Sequence, residues 1–324
     1  MLLLIHRYFV LPLSILALLL AGLARAGELQ VGARVDLGEV DNSQLDEASG
    51  IVVSRRNAHL LWSHNDSGDE NRIFALRDDG QIVGIFHLPG CMARDWEDIA
   101  IGPGPTPGVP YLYIGDIGDN LQVWPDIGVC RVVEPEVNLR ASTVVRADLP
   151  DVSVFRFRYP DQPKDAEALL LDPVTGDLFT VSKREQRSAV YRAKAPFDAN
   201  QVQTLQKVAE LSFNYVTGGD ISADGRHIVL KTLRKVLHWP RHAGQTIAQA
   251  LNGAQALNGS QALDTAKALD LAKALAVQPQ RLPYVREPQG EAIGWSSEPL
   301  GYYTISETAF LLRPHLYFYP IAGK

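Results

Sequence analysis

Glu97-Asp98-Ile99 is one of five renderings of a single phrase, the others being Ser49-Gly50-Ile51, Glu167-Ala168-Leu169, Gly219-Asp220-Ile221 and Glu291-Ala292-Ile293. Each begins on a small or acidic residue, passes one spacer and reaches a β-prone aliphatic. Behind the first phrase lie four short β-prone runs, Ile51 to Ser54, Leu60 to Ser63, Arg72 to Leu76 and Ile82 to Phe86, with an Asp78-Asp79-Gly80 turn before the last. A unit of this plan repeating at roughly 40–50 residues is the signature of propeller blades. The predicted fold is therefore all-β, a five-bladed β-propeller.

The other units follow the same plan with two disturbances. The second carries a long excursion from Asn138 to Pro150 before its last strand, Val152 to Tyr159, and leaves a six-bladed ring as the alternative. The fifth is one strand short. The spare run Ala33-Arg34-Val35-Asp36-Leu37 near the amino terminus can supply that strand, closing the ring and removing an open sheet edge.

Residues 1–26 stand outside the blades. His6 and Arg7 precede an apolar stretch from Phe9 to Leu23, and Ala24-Arg25-Ala26 fits a small-x-small cleavage site, the pattern of a signal peptide. The expectation is an exported protein, periplasmic or secreted, with one propeller domain over 27–324 and no membrane association after cleavage. Its formal charge is −6, and loss of Arg7 and Arg25 makes it more negative, which argues against nucleic acid or an anionic membrane as partner. Cys91 and Cys130 are the only two cysteines, and the sequence leaves open whether they bond. Residues 248–277 form a hexad array with leucines at 251, 257, 263, 269 and 275. Six residues rotate an α-helix by about 240°, so these leucines make no single stripe. The array reads as a surface insert between the third and fourth strands of the fourth blade, or as a helix for a protein partner.

The phrases carry the candidate chemistry. The first residues of the innermost strands should meet at one mouth of the central channel, bringing Ser49, Glu97, Glu167 and Glu291 together. Converging carboxylates repel and are costly to bury without a counterion. Ca2+ takes many oxygen ligands in flexible geometry and satisfies that demand. Backbone carbonyls near Gly219 would complete the shell, with Asp98 and Asp220 next door. The competing reading pairs the glutamates with Lys183, Lys231, Arg184 and Arg234, giving a plugged, structural channel. Second strands of antiparallel blades end on the same face. They deliver His64 and Asp66, Asp116, Lys183 and Arg184, Lys231 and Arg234, and Glu307. Lys183, Lys231, Arg184 and Arg234 suit a small anionic ligand, and His64, Asp66 and Asp116 are the candidates for proton transfer. Trp96 and Trp124 are candidate ligand platforms. A nucleophile elbow and a P-loop are both missing from the sequence.

Asp95-Trp96-Glu97-Asp98, Gly115-Asp116-Ile117-Gly118-Asp119-Asn120 and Pro288-Gln289-Gly290-Glu291-Ala292-Ile293 resemble the phrases of a family of uncharacterised exported bacterial β-propellers. More distantly, the ring of glutamates is similar to that of calcium-binding propellers: phytase-like, gluconolactonase-like and calcium-activated nucleotidase proteins. The nucleotidases imply five blades and a central Ca2+ held by serine and glutamate side chains, a pattern that Ser49, Glu97, Glu167 and Glu291 match. Gly219 departs from it in the fourth blade. The distant resemblance implies metal-dependent hydrolysis of a small anionic ester such as a phosphoester. The alternative is a non-catalytic scaffold for protein or ligand binding, with a structural metal or an ion-paired channel.

Overall fold

The computed structural model describes residues 28–40, 44–252, 278–308 and 313–322. The signal-peptide expectation and most of the hexad array lie outside the described residues. The chain forms five separate sheets, each led by one innermost strand, and these five strands neighbour one another around the channel. The first blade is β2 (Ala48–Val53), β3 (Leu60–Asn65), β4 (Arg72–Arg77) and β5 (Ile82–His87). The second is β6 (Trp96–Pro103), β7 (Pro110–Asp116), β8 (Ile127–Val133) and β10 (Ser153–Arg158). The third is β11 (Ala166–Leu171), β12 (Leu178–Ser182), β13 (Ala189–Ala193) and β15 (Gln206–Glu210). The fourth is β16 (Val216–Ile221), β17 (His227–Thr232), β18 (Lys235–Pro240) and β19 (Gln280–Leu282). The fifth is β20 (Ala292–Ser297), β21 (Leu300–Ile305), β22 (His315–Pro320) and, from the other end of the chain, β1 (Val35–Glu39). The fold is a five-bladed β-propeller, closed by its amino-terminal strand as expected.

Strand composition follows from this stacking. An inner strand has another blade against each face, so β11 and β16 are buried at every position and read as unbroken rather than alternating runs. The apolar side chains sort into five clusters, one per blade boundary: Trp62 with Ile99 and Ile114 between the first and second, for example, and Val229 with Trp295 and Tyr302 between the fourth and fifth. Hairpin turns between first and second strands end in glycines at positive φ, Gly176 (+75°) and Gly225 (+71°), where a side chain would strain the backbone.

In the second, third and fourth blades the connections between third and fourth strands reach backwards. The excursion in the second blade is not a sixth blade. It holds β9 (Val145–Asp148), which pairs in parallel with β5 on the outer edge of the first blade. In the third blade β14 (Val202–Thr204) pairs in parallel with β10 of the second. In the fourth, a short helix (Ile247–Leu251) leads to Asn252, whose side chain donates to Val208 O at 2.9 Å and accepts from Glu210 N at 3.4 Å beside β15. The second, third and fourth blades thus each cover an edge of the blade before that would otherwise invite strand pairing. Cys91 and Cys130 are disulfide-bonded, tying the 88–95 loop to β8.

Register places the channel mouth. Pairing of each of the first four inner strands with its neighbour skips one residue, a β-bulge, and the skipped residues are Ser49, Glu97, Glu167 and Thr217. Glu291 holds the matching place just before Ala292, which pairs with Ile305. A bulge turns its extra side chain out of the ladder and is frequent next to functional sites. In the fourth blade the sequence phrase was therefore two residues out of step: Thr217, not Gly219, stands in line with the glutamates.

Candidate metal centre at the channel mouth

Glu97, Glu167 and Glu291 are buried, and each offers a carboxylate oxygen within 4.8 Å of the others. Two oxygens on one Ca2+, at 2.3–2.6 Å each, stand no more than about 5.2 Å apart, so the three fit one ion. Ser49 spends its hydroxyl proton on the Glu97 carbonyl at 2.6 Å, which leaves its oxygen lone pairs for a cation. Glu167 Oε2 and Thr217 Oγ1 are buried with no hydrogen-bond partner among the described residues. Native structures leave few such atoms, and an oxygen-binding ion is one explanation of them. The donor set of three carboxylates and two hydroxyls suits a hard cation.

Electrostatics point the same way. Burial pushes Glu97 and Glu167 well above the usual carboxylate range, and their mutual repulsion with Glu291 adds to it. Glu291 is raised as well, by burial first. A second tier lies over the ring, where Asp66 shares one carboxylate cluster with Glu291 and Glu307 and another with Asp95 and Glu97. Burial, then neighbouring carboxylates, lift Glu307 to about 8 and Asp95 to about 6. Asp66 is raised mainly by burial. Glu307 was expected on this face but given no role, and Asp95 was named only within a motif.

Lys183 supplies positive charge inside this group. Its ammonium is ion-paired with Glu167 and lies 3.8 Å from Glu291 Oε1. Burial opposes that charge, but the surrounding carboxylates outweigh it and raise the lysine. Arg184 sits at the rim, bonded to Asp165 and Asn120. Arg234 is exposed at the turn after β17.

Other expected residues lie off the mouth. Lys231 is fully buried between blades, where its ammonium donates to Gly290 O and sits 4.6 Å from the Tyr284 ring centroid. Burial lowers it to about 8. His64 is also buried, bonded through Nδ1 to Asn65 O at 2.7 Å and edge-on to Trp96, and burial lowers it to about 4. Asp116 accepts from the Arg94 and Asp95 backbone N–H groups at 2.9 Å and from Arg94 Nε at 2.7 Å, so its carboxylate orients the 94–95 segment. Trp96 is buried, whereas Trp124 stays 43% exposed.

Asp98 and Asp220 staple blades. Asp98 Oδ2 accepts from Leu169 N at 2.9 Å and Gly219 N at 3.3 Å, and Asp220 Oδ2 accepts from Trp295 N at 2.7 Å. Burial raises both, Asp220 to about 7.

No family model matches the chain, and no curated protein matches it in sequence. Among solved structures it is similar to a luciferin-regenerating enzyme, with a TM-score of 0.41 and 10% identity over 92% of this chain and 98% of the other. It is also similar to an auxiliary nutrient binding protein from Bacteroides thetaiotaomicron, with a TM-score of 0.39 and 6% identity over 91% and 78%. A third likeness is to the Dos1 propeller, with a TM-score of 0.33 and 11% identity over 83% and 69%. Likenesses at this level carry no argument about chemistry.

Proposed function

We propose that this protein is an exported, calcium-binding β-propeller that hydrolyses a small anionic ester, such as a phosphoester, at the mouth lined by Glu97, Glu167 and Glu291. The observation that carries the reading is a ring of buried carboxylates whose charge exceeds its counterions and which includes unpartnered oxygens at Glu167 and Thr217. Glu97, Glu167, Glu291, Ser49 and Thr217 would hold the ion. Bound there, Ca2+ would supply positive charge for an anionic substrate. Export is supported by the Cys91–Cys130 disulfide, a bond of oxidising compartments.

Lys183, inside the carboxylate group, and Arg184, at its rim, are the cations suited to the substrate anion. Ester hydrolysis forms one bond from the water oxygen and breaks the bond to the leaving oxygen. The water gives up a proton and the leaving group takes one. Glu307, which burial raises in the metal-free protein, is the group suited to donating that proton, and Asp66 beside it to taking the one that water gives up. His64 and Asp116 act behind the site, as packing and as the clamp on Asp95.

Turnover of an aryl phosphate with Ca2+ present tests the reading. It should disappear on chelation and drop in Glu307→Gln while Ca2+ binding persists. Turnover indifferent to chelation contradicts it. The ion pair between Lys183 and Glu167 favours a second reading, a scaffold whose channel is closed by its own lysine. That reading expects no Ca2+ binding and no turnover, with function lodged in loops or in the 248–277 insert.

A further inference from the structure

A cavity of about 310 Å3 opens at the second blade, walled by Met92, Gly128, Cys130, Val154 and the ion pairs Arg94–Asp116 and Arg156–Asp126. Nothing in the roles assigned above uses it. Its position follows from the second blade: Asp116 ends β7, Gly128 opens β8 opposite it, and the disulfide holds the 88–95 loop over the gap. The volume is at the lower end for small-molecule pockets, enough for one compact ring.

The cavity is joined to the carboxylates by covalent neighbours. Arg94, in its wall, precedes Asp95, which clusters with Asp66 and Glu97. The Arg94 guanidinium also lies 5.1 Å from the Trp124 ring centroid. Trp124 ends a loop that begins at Gly118, where an added Cβ would come within 2.3 Å of Glu97 Oε1. Within that loop Leu121 is 81% exposed and Val123 60%, and Met92 in the cavity wall is 50% exposed. Leu121, Val123 and Trp124 thus leave three large apolar side chains exposed on one short loop. The acidic mouth next to them repels an anionic membrane, and the narrow concavity suits a ring rather than a protein surface.

We infer that the cavity beside Met92 and Arg94 receives the apolar or aromatic group of the substrate, so that the preferred substrates are aryl esters of an anion rather than small or purely ionic ones. This rests on the mouth being the anion site. Gly128 offers the means of testing it, because a Cβ there meets nothing closer than Asp116 at 3.5 Å and its φ permits a side chain. A valine would project into the cavity from a strand that favours β-branched residues.

Binding of phenyl phosphate and methyl phosphate to the calcium-loaded protein should be compared by calorimetry. Wild type should prefer phenyl phosphate by about tenfold or more. Gly128→Val should erase the preference while leaving methyl phosphate binding unchanged. Met92→Ala, at a half-exposed position where truncation spares the fold, should weaken phenyl phosphate binding several-fold. Equal binding of the two phosphates by wild type overturns the inference, as does a preference that survives both variants. If neither phosphate binds although Ca2+ does, the mouth is not an anion site and the inference falls with that reading.

Discussion

The Lys183 ammonium, on the residue after β12 of the third blade, stands 3.8 Å from the Glu291 carboxylate of the fifth and is ion-paired with Glu167 of its own. It thus holds two of the three carboxylates a cation would need. Ammonium and Ca2+ are competitors for one patch of negative potential. Binding of the ion would free the lysine toward the rim, where an anionic substrate would meet it.

Lys183→Met follows directly. Without its counterion the ring is less stable, so the metal-free protein should melt at a lower temperature. With the competitor gone, Ca2+ should bind about tenfold more tightly, a modest share of the Coulomb energy of such a pair. Thermal melts and calcium titration of the same variant check both halves. Weaker Ca2+ binding would mean that Lys183 builds the site rather than competing for it.

Thr217→Val separates the ligand role from packing. The hydroxyl is buried and lacks a partner among the described residues, so replacing it with a methyl should leave metal-free stability unchanged or raise it by up to ~1 kcal/mol. Calcium affinity should fall by about tenfold, in the range of losses around metal sites. Equal affinity would remove Thr217 from the shell.

Gly118→Ala perturbs the ring without changing any charge. The added methyl would lie 2.3 Å from Glu97 Oε1 and 2.5 Å from the Asp95 carboxylate. Both side chains can swing aside, so the fold should persist while Ca2+ affinity drops by about tenfold. Retained affinity would show that Glu97 does not need its present position.

The architecture was legible because blades repeat. The recurring phrase marked all five inner strands, and the spare run near Val35 was identified as the closing strand that became β1. Two features escaped. β9 and β14 are only four and three residues long and pair with the preceding blade, a choice made by distant edges and not by local composition. The alignment of Gly219 with Glu97 failed because Gly219-Asp220-Ile221 mimics the phrase, while the bulge that sets the register falls at Thr217. Lys231 and His64 were expected at the mouth because they end apolar runs, yet a strand position opposite Gly218 or Gly50 turns each inward. The ring glutamates were legible because three acids recurring at the start of buried strands are too costly to lack a purpose.

The acidic mouth also sets a pH dependence. Glu307 titrates near 4.5 when unfolded and at about 8 when folded, so the stability it contributes is full below 4.5 and is lost as pH rises to 8. Buried His64 acts with opposite sign, its contribution being lost as pH falls from 6.5 toward 4. A difference measurement isolates the carboxylate. Without metal, Glu307→Gln should melt above wild type at pH 8 and together with it at pH 4.5, the two ends of that window. Saturating Ca2+ should shrink the gap at the higher pH. A gap of the same size at both pH values would contradict the assigned titration.

The central claim is that Glu97 and Glu167 hold a calcium ion. Calorimetric titration of Ca2+ into the mature chain, beside Glu97→Gln and Glu167→Gln, tests it most directly. The account predicts saturable binding to wild type at one ring site and a loss of at least about 100-fold in each variant, more than changes around a metal shell usually cause. A folded wild type that takes up no Ca2+, or variants that bind as wild type does, would contradict it and leave Lys183 as the ion that closes the channel.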